Sequence, residues 1–248
     1  MYTRDAQEPA AGGSRGAGLC EGLREKRLVA TTNSDARSSV RSQFASVFWS
    51  EGRSDAVTNS VMPFEHLMDL RCYPSAPTQS VREIQVLVRR SASDELRMTY
   101  CLNGDIPEIR IPSASVPRIG TQLWEHTCFE AFIALEGQFA YHEFNFAPSG
   151  EWAVYAFLSY RKRGPHVSEM VPPSIAVRPT QSRLELDAIV RLDGLSAIHR
   201  RASLRLGLSA VIETSNGLSY WALRHPSSKP DFHNADGFAL LLEPPGPG

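Results

Sequence analysis

Side chains able to do chemistry gather near the C-terminal end of the chain. The segment 221–243, WALRHPSSKPDFHNADGFALLLE, holds two histidines, one lysine and two aspartates. They are His225, Lys229, Asp231, His233 and Asp236. Imidazole and carboxylate groups can ligate a metal, transfer protons or bind a polar ligand. The spacing of the two histidines matches no recognised zinc motif, so the residues alone leave these alternatives open.

A second group of polar side chains lies in the segment 123–157, LWEHTCFEAFIALEGQFAYHEFNFAPSGEWAVYAF. Apolar and polar residues alternate along it, which predicts three successive β-strands. A two-residue hairpin at Glu136-Gly137 would place Phe132 opposite Tyr141 and Glu130 opposite Glu143. The following APSG turn would bring Asn145 close to Trp152.

Strand alternation divides these side chains between two faces. One face is predicted to be core, and it carries Phe129, Ala131, Ile133, Phe144, Phe146, Tyr155 and Phe157. The other face mixes aromatic, acidic, amide and imidazole groups. We predict ligand binding there by Trp124, His126, Glu130, Tyr141, Glu143, Asn145 and Trp152, joined by His233 from the C-terminal segment.

Two glutamates that face each other repel unless something compensates their charge. A proton, an arginine or a bound ligand would do so, and Arg161, Arg178 and Arg205 are the candidate arginines. The polar face is therefore either a ligand-binding surface or a buried ion-pair network that fixes the sheet register.

Beyond the first 61 residues, the sequence predicts an all-β protein with a two-sheet antiparallel β-sandwich fold. From about residue 65, short alternating runs are separated by Gly, Pro, Asn and Ser clusters, which is typical of an antiparallel sandwich or barrel. Asn216-Gly217 predicts a hairpin with positive φ at both residues. Residues 1–61 are rich in small and polar residues, so we predict a disordered or non-native extension there and a folded domain over 62–248.

The overall composition excludes several partners. The 248 residues carry a net charge of −1, which argues against nucleic-acid binding through a general basic field. We also expect no membrane association, because no apolar run is long enough to span a bilayer. The polar N-terminus lacks an apolar signal core, which favours a cytoplasmic location. Oligomeric state is not predicted.

Two stretches resemble a known superfamily. LWEHTCFEAFIA with YHEFNFAPSGEWAVYAFLSYR is similar to the central strands of bacterial DOMON-like proteins, which are related to family 9 carbohydrate-binding modules. PDFHNADGFALLLE resembles their closing loop and last strand, with Phe232 and His233 at the matching positions. The resemblance covers about residues 65–243 and implies a β-sandwich of two antiparallel sheets. It also implies a concave face that holds a sugar or, in some branches, a haem.

Three functions remain open from the sequence. The first is a non-catalytic module that binds a carbohydrate or a related polar small molecule, without a cofactor. The second is a b-type haem domain for electron transfer, whose axial ligands would come from Met98, Met170, His126 or Lys229. The third is a cryptic hydrolase or a structural protein. No P-loop, G-x-S-x-G or dinucleotide fingerprint supports an enzyme, and we expect binding rather than catalysis.

Overall fold

The structure is a computed structural model that describes residues 65–113, 116–165 and 171–245. The predicted N-terminal extension, residues 1–61, lies outside the described residues, so its boundary stays a prediction. Within the described ranges, no helix is long and apolar enough to cross a membrane.

Twelve antiparallel strands build the described part of the chain. The first sheet consists of β1 (Glu65–Cys72), β2 (Val81–Arg90), β3 (Glu95–Gly104), β8 (Ser174–Pro179) and β9 (Arg183–Arg191). The second sheet consists of β4 (Cys128–Leu135), β5 (Tyr141–Phe146), β6 (Trp152–Ser159), β7 (Lys162–Arg163), β10 (Leu204–Thr214), β11 (Gly217–Ala222) and β12 (Leu240–Leu242). Within the residues that the structure describes, four short 3₁₀ helices span Ile106–Glu108, Leu123–Glu125, Leu192–Gly194 and Ala235–Gly237.

Strand β1 joins the two sheets. Its residues 65–70 pair with β2, whereas Arg71 and Cys72 pair with β11. The strand order β8-β9-β3-β2-β1 therefore continues into β11-β10-β4-β5-β6-β7. The predicted two-sheet antiparallel β-sandwich is confirmed, and β1 is shared between its two sheets.

The main core lies between the sheets, because the inward positions of both sheets are apolar. Leu204, Leu206, Leu208, Ala210 and Ile212 of β10 share the inner face, as their alternation predicts. They pack with inward residues of the first sheet, such as those of β2 and β3. Burying apolar area at about 25 cal/mol per Å² makes this layer the main source of stability.

The hairpin between β10 and β11 was placed correctly by the sequence, although its geometry differs from the prediction. Thr214 pairs with Gly217 across it. Gly217 has a positive φ of 112°, but Asn216 is not among the described residues with positive φ. The positive φ that favours glycine thus occurs at one position of the turn rather than at the two predicted.

The second sheet also has an outer face, which points away from the main core. A small apolar cluster of Phe132, Ala134, Tyr141, Phe157 and Phe238 covers one end of this face. Leu123, Cys128, Ala147 and Ala153 cover the other end. The outer face between the two clusters carries the candidate site.

Candidate functional site

Glu130 and Glu143 share the outer face, and the prediction that they do so is confirmed. Glu130 of β4 pairs with Asn145 of β5, and Glu143 pairs with Phe132. Ala134 pairs with Tyr141, so the register is two residues away from the predicted one. An even shift preserves which face each side chain takes, so the two glutamates remain on one side of the sheet.

The two glutamates are diagonal neighbours, so the prediction that they lie directly opposite each other is wrong. Asn145 is directly opposite Glu130, and its Nδ2 donates to Glu143 Oε1 at 2.8 Å. Ser209 Oγ, from β10, donates to Glu130 Oε2 at 3.3 Å. Each acid thus has one neutral donor, and the amide between them reduces their direct repulsion.

Both carboxyl groups resist ionisation. Glu130 is 3% exposed and Glu143 is 5% exposed. Burial, and then the charge of Glu143, raises the pKa of Glu130 well above its ordinary value. Burial also raises the pKa of Glu143, while the bond from Asn145 and the charges of Arg163 and Arg161 oppose that rise. Glu130 therefore keeps its proton more readily than Glu143 does, and the pair can offer one donor and one acceptor.

A hydrogen-bonded chain runs from the Arg161 backbone through Tyr141 to His233, whose ring lies beside Glu143. The backbone N–H of Arg161 donates to the Tyr141 hydroxyl oxygen at 3.2 Å. That hydroxyl lies 2.8 Å from His233 Nδ1, and it can donate there because its oxygen already accepts. His233 Nε2 lies 3.6 Å from Glu143 Oε2. This arrangement puts the ring proton on Nε2, facing the carboxylate.

His233 is neutral near pH 7. Burial, and then the positive charge of Arg161, lowers the pKa of His233 to about 4. Burial raises the pKa of Tyr141 to about 12, so its hydroxyl stays protonated. The imidazole consequently lies beside Glu143 as a neutral ring, and it adds no positive charge to the site.

The C-terminal loop is held over the outer face by Asp231. Its side chain accepts from Tyr160 Oη at 2.7 Å and from Arg161 Nη2 at 2.9 Å. Its Oδ1 also accepts from the His233 backbone N–H at 3.3 Å. Arg161 sits at the tip of the β6–β7 hairpin with φ of 52°. The hairpin and the loop therefore form one wall of the site.

The remaining side chains of the C-terminal segment are elsewhere. His225 Nε2 donates to the carbonyl oxygen of Arg71 at 2.8 Å, and its ring packs edge-on against Tyr73. Lys229 is exposed. Within the described ranges, no group of three His, Cys, Asp or Glu side chains could hold a metal ion. The two histidines thus serve different parts of the fold.

A cavity of about 490 Å³ opens above the two glutamates. Glu130, Glu143 and Val211 form its floor. Its walls carry the half-buried rings of Trp124, from the 3₁₀ turn before β4, Tyr220 from β11 and Phe232 from the C-terminal loop. Apolar walls around a few convergent polar groups are typical of small-molecule sites of this size.

Arg163 is a site residue that the sequence did not single out. It pairs with Phe157 across the β6–β7 hairpin and lines the cavity. Its guanidinium carbon lies 3.8 Å from the Tyr155 ring centroid and 5.0 Å from that of Phe157. A two-residue edge strand has no alternating pattern, so only its place after β6 could have indicated this position.

Several predictions for the third strand are wrong. Trp152 pairs with Phe146, so it takes the inner side of the sheet, where it is 5% exposed and lies outside the cavity. Tyr155 and Phe157, predicted as core between the sheets, pair with Glu143 and Tyr141 on the outer face. The turn after Phe146 closes between Ala147 and Glu151, which shifts β6 by one residue relative to the prediction and reverses its two faces.

His126 was also predicted as a ligand contact, and the structure places it outside the cavity. Its side chain is 62% exposed, and Nδ1 lies 2.8 Å from Glu213 Oε2. Arg110 Nη1 pairs with the other oxygen of the same carboxylate at 2.9 Å. This group is a surface ion-pair cluster at the edge of the sheet.

Of the three candidate arginines, Arg161 alone is at the glutamate pair. Arg178 pairs with Glu185 and Asp187 on the first sheet. Arg205 donates to the carbonyl oxygens of Ala235 and Phe238 and so anchors the last loop.

The suggested haem ligands are on different surfaces. Met98 is fully buried in the core between the sheets, whereas His126 and Lys229 are exposed. Met170 lies outside the described residues. Met98 and His126 therefore do not form an axial pair, and the haem alternative stays a sequence-based prediction.

Comparison with known proteins identifies relatives by structure alone. No protein-family profile matches the chain, and no curated protein matches it. A proposed carbohydrate-binding protein from Bacteroides uniformis ATCC 8492 superposes with a TM-score of 0.53 at 15% identity, covering 71% of this chain and 84% of that one. This likeness supports the β-sandwich fold.

Two structures of a family 9 carbohydrate-binding module from Caldicellulosiruptor kristjanssonii are more distant. The complex with cellotriose has a TM-score of 0.43, and the complex with glucose has a TM-score of 0.42, each at 9% identity. Each match covers 74% of this chain, with 83% and 84% of the respective module covered. At these TM-scores they add nothing to the description of this site.

Proposed function

We propose that this chain is a non-catalytic module that binds a carbohydrate in the outer-face cavity. The observation that carries the proposal is the pairing of two buried carboxyl groups on the cavity floor with aromatic rings on its walls. A sugar ring has apolar C–H faces that pack on flat aromatic rings, and its edge carries hydroxyl groups. The aromatic walls of the cavity can pack on the C–H faces of a sugar, and the two carboxyl groups can bind its hydroxyl groups.

The two acids suit hydroxyl groups in particular. A sugar hydroxyl both donates and accepts, and Glu130 as a protonated acid can donate while Glu143 accepts. Glu143 is oriented by the hydrogen bond from Asn145. A site whose polar groups are fixed before binding loses less entropy when the ligand arrives.

The fold agrees with this proposal. The sequence resembles DOMON-like proteins and family 9 modules, and the Bacteroides uniformis protein with a similar fold is itself proposed to bind carbohydrate. Membership of either family is part of the proposal. We propose binding and not hydrolysis, as the resemblance to these binding modules implies.

Isothermal titration calorimetry with neutral mono- and disaccharides tests the proposal. Trp124→Ala removes a cavity wall and should weaken binding at least about tenfold, which corresponds to about 1.4 kcal/mol. Phe139→Ala is the matched control, because that ring is 85% exposed and outside the cavity. Equal affinities for the Trp124→Ala variant and the wild type would refute this placement of the ligand.

A further inference from the structure

Arg163 presents a cation at the edge of the sugar cavity. The guanidinium lies on the face of the Tyr155 ring, and its residue pairs with Phe157, whose ring also lines the cavity. Stacking on an aromatic ring fixes the plane of a guanidinium while leaving most of its N–H groups at the edge.

No carboxylate in the described part of the chain forms an ion pair with Arg163. Arg161, two residues earlier, is different, because Asp231 holds it at 2.9 Å. The charge of Arg163 acts to lower the pKa of Glu143, yet the two side chains form no ion pair within 4 Å. The N–H groups of the Arg163 guanidinium are thus oriented and can bind an acceptor on a ligand.

The floor beside Arg163 is less acidic than its two glutamates suggest. Burial disfavours the ionised form of both, and the charge of Glu143 acts further against that of Glu130. His233 is neutral and contributes hydrogen bonds only. A ligand anion that reached Arg163 would therefore face less negative charge than the composition of the site implies.

We propose that the module selects an acidic sugar, whose anionic group binds the stacked guanidinium of Arg163 while its ring hydroxyls bind Glu130 and Glu143. This inference rests on the proposed carbohydrate binding. A carboxylate and a phosphate both accept two parallel hydrogen bonds from a guanidinium, so either can supply the anionic group. The inference assigns Arg163 as the residue that determines specificity.

Paired titrations test the selection. Glucuronic acid is compared with glucose, galacturonic acid with galactose, and glucose 6-phosphate with glucose, at low ionic strength. We expect at least one acid to bind about tenfold or more tightly than its neutral parent, a difference of about 1.4 kcal/mol. The preferred pair distinguishes a carboxylate from a phosphate. Added salt should reduce the preference, because the rim is exposed to solvent.

Variants of the hairpin assign the preference to Arg163. Arg163→Gln should bring the acid-to-neutral ratio close to one, with the affinity for each neutral sugar measured in the same titrations. Arg163→Lys should recover only part of the preference, because a point charge lacks the planar fork. Lys162→Gln is the matched control, since it removes the same charge from the same strand outside the cavity, and it should leave the ratio unchanged.

The failures of the two proposals are distinguishable. Equal binding of acids and neutral sugars by the wild type, or a preference that survives Arg163→Gln, overturns the selection alone. Binding of no sugar of either kind overturns carbohydrate binding and the selection together.

Discussion

Replacing Glu130 by glutamine gives a quantitative test of the electrostatics of the site. Glu130 is 3% exposed, and its nearest donor in the structure is the Ser209 hydroxyl at 3.3 Å. Burial and the charge of Glu143 raise its pKa well above the ordinary value. Glutamine has nearly the same shape and does not titrate, so the variant removes the ionisation and little else.

The sign of the effect follows from proton linkage. The folded protein binds the Glu130 proton more tightly than the unfolded chain, whose glutamate pKa is about 4.3. Stability of the wild type is therefore greatest below that pH and is lost as the pH rises toward the folded-state pKa. The stability of Glu130→Gln relative to wild type should increase over this range by up to about 1.4 kcal/mol per pH unit.

Urea denaturation at unit pH steps from 4 to 8 measures this difference. Glu136→Gln, at an exposed glutamate after β4, is the matched control and should give a much smaller slope. A difference between Glu130→Gln and wild type that stays constant from pH 4 to pH 8 would refute the argument. It would mean that Glu130 is ionised in the folded protein without cost.

Three further substitutions test the packing by the same denaturation assay. Phe144→Ala should lower the free energy of unfolding by about 3–5 kcal/mol, because the ring is fully buried between the sheets. A variant as stable as the wild type would contradict the assignment of the two faces of β5. Gly207→Ala should cost about 1–3 kcal/mol, since its Cβ would lie 2.6 Å from Phe238 Cδ1, and an unchanged midpoint would show that the ring moves freely. Tyr141→Phe should cost about 1–3 kcal/mol by leaving His233 Nδ1 without its donor; a stabilised variant would count against the hydrogen-bonded chain.

The sequence predicts the sandwich because strand alternation is a local property. Strands β2 and β5 lie where the alternating runs 81–90 and 141–146 predict them. The register between β4 and β5 was wrong by two residues, yet the glutamates stayed on the predicted face because side chains repeat every two residues. The error in turn length between β4 and β5 therefore did not change the face on which each side chain lies.

The site was predicted less completely, because much of it depends on long-range contacts. The turn between β5 and β6 shifted that strand by one residue, and this placed Trp152 inside and Tyr155 outside. His233 reaches Tyr141 from 92 positions away, a contact that no local pattern encodes. Arg163 was missed because a two-residue edge strand carries no periodicity.

Nuclear magnetic resonance of the tryptophan indoles tests the central claim most directly. Trp124 lines the cavity, whereas Trp152 is on the inner side of β6 and Trp221 belongs to the core. Titration with a bound sugar should shift the Trp124 indole N–H signal progressively and leave those of Trp152 and Trp221 nearly unchanged, with assignments from single Trp→Phe variants. A saturating sugar that leaves the Trp124 signal in place and moves the signal of Trp152 or Trp221 would contradict a carbohydrate site on the outer face.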